Sequence, residues 1–244
     1  MKIILSHIFT PVYFIVFGLL VVIFQPIQML CRNIWGYQSH KKSVDILNLL
    51  LFKSLKIVGA KIKVEGSFDF PTNRPLIIVA NHQSTYDIPA IIWLFRKNHP
   101  KFIAKKELEK YIPSISYNLR HSGAAIIDRK NPTQAIKEII KLGRLIETKN
   151  YSACIFPEGT RTRTGKLGFF QSGGIKTLLK VSPSALIVPF AINGNFKLHR
   201  YGKYPLSFGE SLKFMVLEPI DPKGQNVEEL VNEIEKVIIS LMST

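Results

Sequence analysis

The stretch Leu76-Ile77-Ile78-Val79-Ala80-Asn81-His82-Gln83-Ser84-Thr85-Tyr86-Asp87 decides how this chain is read. Five apolar residues in a row, β-branched at Ile77, Ile78 and Val79, have the length and composition of a strand buried on both faces. They run straight into a polar loop, and Ile88–Arg96 beyond it is a candidate helix. Working outward, the same alternation repeats. Lys61–Glu65, Lys101–Ala104, Ala124–Asp128, Ala153–Phe156, Ala185–Ile192 and Leu212–Leu217 are further candidate strands. Pro132–Thr148, Gly174–Val181 and Val227–Met242 are candidate helices, the last opened by Asn226 with Glu229 three residues on, a capping pattern. Strands alternating with helices predict an α/β domain over residues 61–244, with a mixed, largely parallel sheet flanked by helices. Function in such a sheet belongs in the loops at the C-terminal strand ends.

Residues 1–60 read differently. Ile3 to Cys31 contains no Asp, Glu, Lys or Arg, only His7. As a helix, Ile3–Gln25 would be ~34 Å long, enough to cross a ~30 Å hydrocarbon core. Pro11 and Pro26 should kink or end it. A second apolar segment, Val44 to Ala60, carries Lys53 and Lys56 and suits a helix lying at the membrane interface. Residues 1–60 are therefore expected to form a membrane-associated helix pair, with a buried hairpin of core helices as the alternative. Arg32, Lys41, Lys42, Lys53, Lys56, Lys61 and Lys63 come after the first run with Asp45 the one acid before Glu65, which predicts, if the first helix spans, a cytoplasmic location for the remainder of the chain.

Composition agrees. The 244 residues hold 33 Lys and Arg against 17 Asp and Glu, a net charge of +16, with 46% apolar residues. A nucleic-acid protein would explain the charge but not the uncharged start, so membrane lipid is the expected partner and nucleic acid is not. The two cysteines, Cys31 and Cys154, exclude a disulfide scaffold, and no Cys/His spacing suits zinc, so no metal is expected.

Three loops carry candidate chemistry. In the first, His82 and Asp87 can meet if the loop turns, with Ser84, Thr85 or Asp87 capping the next helix. A carboxylate on one imidazole nitrogen fixes the tautomer and leaves the other as a base, two thirds of a triad without a protein nucleophile. The pair can equally be read as a capping aspartate beside a loop histidine. The second loop ends a strand at Asp128-Arg129-Lys130, where an ion pair is the default. The third is Phe156-Pro157-Glu158-Gly159-Thr160-Arg161-Thr162-Arg163. Its glycine permits close backbone approach, and its arginines offer forked donors suited to phosphate. From Gly159 to Gly209 there are eight Lys or Arg and no acid, a one-signed surface for phosphorylated ligands. Gly159 to Lys166 is not a Walker A loop, since five residues rather than four separate its glycines and Leu167 replaces the Ser or Thr. No G-x-S-x-G elbow is present.

Taken in order, His82-x4-Asp87, Gly123…Asp128-Arg129, Phe156-Pro157-Glu158-Gly159-Thr160-Arg161 and Val188-Pro189-Phe190-Ala191-Ile192 resemble the four blocks of the glycerolipid acyltransferases. The likeness covers roughly Lys61 to Ile192 and is greatest to the 1-acylglycerol-3-phosphate (lysophosphatidic acid) branch. It implies the glycerol-3-phosphate acyltransferase fold and transfer of a fatty acyl chain from acyl-CoA or acyl-carrier protein to the sn-2 hydroxyl of 1-acylglycerol 3-phosphate, giving phosphatidic acid for phospholipid biosynthesis. The donor is a co-substrate, and no resident cofactor is implied. The resemblance makes His82 the general base and Asp87 its orienter, and places Arg129, Glu158, Gly159, Thr160 and Arg161 on the acceptor's glycerol phosphate. Gln171-Ser172-Gly173-Gly174 stands where the family often has Lys-Gly, and Pro113 lacks the family's following glycine. These departures leave open another lysophospholipid, a lyso-aminolipid or glycerol 3-phosphate as acceptor. From a different class, a non-catalytic anionic-lipid-binding membrane protein would explain the charge and the start, but would not need His82 and Asp87 at that spacing.

Overall fold

The computed structural model describes residues 1–242. A long helix, α1 (Lys2–Ser54), precedes β1 (Lys61–Glu65), β2 (Leu76–Ala80), α2 (Asp87–Leu94), β3 (Pro100–Lys105), α3 (Ile115–His121) and β4 (Ala125–Ile127). Then come α4 (Pro132–Lys149), β5 (Ser152–Ile155), α5 (Gly173–Val181), β6 (Leu186–Asn193), β7 (Ser211–Val216) and α6 (Val227–Met242). The seven strands form one sheet in the order β1-β7-β6-β2-β5-β3-β4. Every neighbouring pair is parallel except β6 with β7. This is the mixed, largely parallel sheet that the alternation predicts. The capping expected at the last helix is present, with the Glu228 and Glu229 amides donating to the Asn226 side chain at 2.9 and 3.4 Å. The sequence reading has no counterpart for α3, a seven-residue helix too short to show a period.

Strand β2 sits at the centre and is buried on both faces, and its residues alternate between two cores. Leu76, Ile78 and Ala80 pack with α1, α2 and the matching faces of β6 and β7. Ile77 and Val79 pack with α4, α5 and α6 on the other side. The result is a three-layer sandwich, and the C-terminal ends of β2, β5, β3 and β4 lie along one edge.

The N-terminal helix differs from expectation in two ways. Neither Pro11 nor Pro26 ends it. The break falls at Gly36, whose φ of 76° and ψ of −164° leave the helical path. A proline removes one N–H and bends the axis, whereas this backbone conformation suits glycine alone. Second, residues 44–58 are not a separate interfacial helix. Val44, Phe52, Leu55 and Val58 share a core with β2, β6 and β7, so the second arm of α1 and the turn that follows it pack as a layer against the sheet.

The first arm meets the protein through apolar side chains interleaved with polar ones, Tyr13 and Val21 among the former, and is apolar away from it. Ser6 and Thr10 accept the Phe208 and Leu206 amides, each at 3.0 Å, and Tyr13 meets Tyr86 edge-on. The Ser114 hydroxyl donates to the Val21 carbonyl at 2.7 Å, and Arg32 reaches the His121 carbonyl. The opposite face exposes Ile4, Ile8, Ile15, Leu19, Val22, Ile23, Leu30, Ile34 and Trp35. An outward apolar stripe of this length is unusual for a surface bathed in water. By length and composition α1 could cross a membrane.

One buried charge stands out away from the edge that carries the loops. Lys101 on β3 is 4% exposed, donates to the Tyr37 hydroxyl at 2.8 Å and lies over the Tyr37 and Tyr151 rings. Burial pushes its ammonium down to about 7, helped by Lys41 and opposed by Asp45.

Candidate active site

The loop between β2 and α2 is fixed from both ends. Asn81 is fully buried and forms a two-bond pair with the Ile192 peptide, donating to its carbonyl at 2.8 Å and accepting its amide at 2.7 Å. That pair ties the end of β2 to β6 and sets where His82 leaves the sheet. The loop then turns so that His82 Nδ1 lies 2.8 Å from Asp87 Oδ2. A carboxylate can only accept, so Nδ1 carries the proton and Nε2 holds the free lone pair. The ring stacks on Phe156 at 4.0 Å between centroids, which fixes its plane.

Asp87 is completely buried and saturated with donors. Oδ2 also accepts the Gln83 and Ser84 amides at 2.7 and 2.9 Å, and Oδ1 accepts the Asn195 side-chain amide at 2.6 Å. Its carboxylate therefore organises the loop behind it instead of capping α2. No side chain caps that helix, contrary to the expectation for Ser84, Thr85 or Asp87. Burying a carboxylate is costly unless it is hydrogen-bonded, and here four donors supply the compensation.

Glu158 is the second organiser. Its Oε1 accepts the His82 backbone amide at 2.7 Å and its Oε2 accepts the Gly168 amide at 2.8 Å. It therefore holds the His82 loop and the segment after β5 together, and both its oxygens are engaged before any ligand arrives. Burial pushes its carboxyl above the usual range, against the lowering by the two amides and by His82. The Thr162 amide donates back to the His82 carbonyl at 2.9 Å, closing the same junction. Gly159 sits in this turn at φ 68° with open space beside its Cα, and Thr160 and Arg161 are exposed next to it.

Arg129 is exposed on the loop after β4. Because β5 and β3 intervene between β2 and β4, that loop starts about 14 Å along the edge from the His82 loop, at ~4.8 Å per strand. The structure thus joins His82, Asp87 and Glu158 by direct bonds, leaves Gly159, Thr160 and Arg161 at their side, and sets Arg129 further along the same edge. Asp128 keeps to a local role, accepting the Lys130 amide and lying 3.9 Å from the Lys106 ammonium.

Four contacts were not legible in the sequence: Asn81 with Ile192, Phe156 under the imidazole, Asn195 on Asp87, and His199 on Ser84 at 3.0 Å. The last is a serine–histidine pair, but Ser84 has no exposed surface and already accepts the Tyr86 amide. No ligand could reach it from outside, so it offers no nucleophile.

A buried carboxylate, an imidazole with one free nitrogen and an adjoining exposed arginine suit proton removal from a ligand's own hydroxyl. Comparison with known proteins identifies the family. The family profile described as Acyltransferase matches residues 61–193, more than half of the chain. The chain belongs to the acyltransferase family. Among its relatives, a 1-acyl-sn-glycerol-3-phosphate acyltransferase of Cocos nucifera is 40% identical over 138 residues, 57% of this chain and 43% of that one. A 1-acyl-sn-glycerol-3-phosphate acyltransferase alpha of Ovis aries is 26% identical over 202 residues, 83% of this chain and 69% of that one. The crystal structure of the 1-acyl-sn-glycerophosphate (LPA) acyltransferase of Thermotoga maritima superposes with a TM-score of 0.82 at 26% identity, covering 100% of this chain and 97% of that one. This acyltransferase thus shares its fold with that solved structure over the whole length of the chain.

Proposed function

We propose that this acyltransferase moves a fatty acyl group from a thioester donor, acyl-CoA or acyl-carrier protein, to the sn-2 hydroxyl of 1-acylglycerol 3-phosphate, forming phosphatidic acid. The 2.8 Å contact between His82 Nδ1 and a fully desolvated Asp87 carries the reading. His82 Nε2 accepts the acceptor's hydroxyl proton as its oxygen attacks the thioester carbonyl. The tetrahedral oxyanion collapses, the carbon–sulfur bond breaks, and the thiolate takes the proton from the imidazolium. The acceptor supplies the nucleophile, so neither an acyl-enzyme nor a metal is required. Arg161, with Gly159 and Thr160 beside it, binds the glycerol phosphate, and Arg129 closes the far side of the same charged edge. Glu158 serves the acceptor indirectly, by fixing the His82 backbone.

The protein works at a membrane. The outward apolar stripe on the first arm of α1 supports this, because both acyl chains and lysophospholipids partition to the bilayer surface. Contacts from Ser6 to Arg32 hold that arm along the domain, which favours insertion of its outer face into one leaflet over a free-standing span.

The test is transfer of labelled acyl chains from acyl-CoA to lysophosphatidic acid, with a no-acceptor control. Phosphatidic acid should form with the wild type and fall ~10²–10⁴-fold in His82→Ala, the usual cost of losing a general base. Ser84→Ala should keep most of the turnover. Near-normal activity in His82→Ala, or loss in Ser84→Ala with a trapped acyl-serine in the wild type, would overturn the mechanism.

A further inference from the structure

The residues 195–199 grip the catalytic loop at Gln83, Ser84 and Asp87, apart from the Glu158 contact at His82, and they lie beyond the segment that the family profile matches. Three contacts do this. The Asn195 side chain donates to Asp87 Oδ1 at 2.6 Å, the Phe196 amide approaches Gln83 Oε1 at 3.4 Å, and His199 Nε2 meets Ser84 Oγ at 3.0 Å. They start from Gly194, whose φ of 93° and whose closeness to the Ser211 carbonyl leave no room for a Cβ. The turn is therefore pinned to β7 and delivers Asn195 at a set height above the sheet.

We infer that Asn195 is a positioning residue of the reaction: it holds Asp87 in the orientation that lets Oδ2 face His82, and it limits how much negative charge Asp87 presents to the imidazole. Three observations lead there. Asp87 accepts only, so the nitrogen end of the Asn195 amide must face it. Oδ2 has three donors whereas Oδ1 has this one, so Asn195 supplies the restraint on the Oδ1 end of the carboxylate. Finally, Asn195 is fully buried, so water cannot take its place on Oδ1. The charged and titratable groups around the pair are Glu158 on the His82 amide, Cys154 on β5 facing Asp87, and His199, which feels both Asp87 and Arg161.

The inference rests on the reading of His82 as base, and the test keeps the two apart. Steady-state kinetics with acyl-CoA and lysophosphatidic acid are followed from pH 5 to 9 for the wild type, Asn195→Ala, Asn195→Asp, His199→Gln and His82→Ala. Losing one hydrogen bond to a charged group should lower kcat of Asn195→Ala by about tenfold to a hundredfold. Both Michaelis constants should stay within about twofold, since Asn195 touches neither substrate in this reading. Without the neutral donor Asp87 is more basic and favours the imidazolium, so the acidic limb of kcat/KM should move up by about half a unit to one unit. Asn195→Asp is isosteric and guards against a folding defect. Protonated, it can still donate to Asp87. Ionised, it sets two buried carboxylates side by side, so its activity should fall with rising pH where the wild type stays level. His199→Gln should keep the wild-type limb. A wild-type kcat and limb in Asn195→Ala, or a wild-type profile in Asn195→Asp, would overturn the inference while His82→Ala remains inactive. Retained activity in His82→Ala would instead sink the base assignment.

Discussion

Glutamine at position 158 separates an anchor from a ligand-binding group. The carboxylate accepts two backbone amides, from His82 at 2.7 Å and from Gly168 at 2.8 Å. Glutamine has nearly the same shape but only one acceptor, so its NH2 must point at one of the two amide donors. A hydrogen bond to a charged acceptor contributes ~1.5–3 kcal/mol. Glu158 is only partly buried and water competes there, so the lower end, ~1.5–2 kcal/mol, is the appropriate expectation. At 1.36 kcal/mol per factor of ten, that is roughly a 10- to 30-fold loss. It should fall on kcat, because the loosened group is the His82 backbone and both oxygens of Glu158 are already taken by amides. Glu158→Asp keeps the charge but is one methylene too short to span both amides, and should lose a similar factor. The assay is release of free CoA thiol at saturating donor across a titration of lysophosphatidic acid. Wild-type kcat in Glu158→Gln would refute the anchor. A rise in the acceptor's Michaelis constant by the same factor, with kcat intact, would place Glu158 on the acceptor as the family resemblance implies.

Three further outcomes are expected. Arg161→Ala should raise the Michaelis constant for lysophosphatidic acid about tenfold or more with little change for the donor, and Arg161→Lys should recover only part, because an ammonium cannot form the bidentate fork. Unchanged acceptor kinetics would remove Arg161 from the phosphate site. Lys101 ionises at about 7 in the folded protein against an ordinary 10.5, so between those values the unfolded chain holds a proton that the native chain has lost. Stability should therefore rise with pH across that window, by up to ~1.4 kcal/mol per unit, with no contribution to the slope from this group below it. Lys101→Met should unfold at a higher temperature than the wild type at pH 6 and show a flatter rise toward pH 9 in thermal melts. The full-length protein should remain in the membrane pellet through a wash at 1 M salt, where the Debye length is ~3 Å, and should need detergent for release. Release by salt alone would mean that charge, not the apolar stripe of α1, holds it there.

The alternating sheet was legible because each strand carries its own local signal. Lys61–Glu65 and Leu76–Ala80 form strands with the expected bounds, and the other strands differ by one residue at each end. A strand buried on both faces must be continuously apolar whatever its neighbours are, and the loop that leaves it must be polar. The His82–Asp87 pair was legible for a similar reason: five residues are a short enough separation for one turn to close, so sequence proximity stood in for contact. The glutamate of Phe156-Pro157-Glu158-Gly159 could be singled out, but not its task, because its partners His82 and Gly168 become neighbours only when β5 is laid beside β2. Asn195 gave no signal at all. It meets Asp87 across 108 positions, through a turn whose placement depends on β6, β7 and Gly194 together. The N-terminal run shows the same division in another form. Its hydrophobicity was readable by itself, since composition does not depend on folding. Which face turns outward depended on Ser6 and Thr10 finding amides near Leu206 and Phe208, nearly two hundred residues away. Local patterns are set by each residue's own preference for water or for the interior, whereas the last partner of a buried charge is set by the packing of the whole chain.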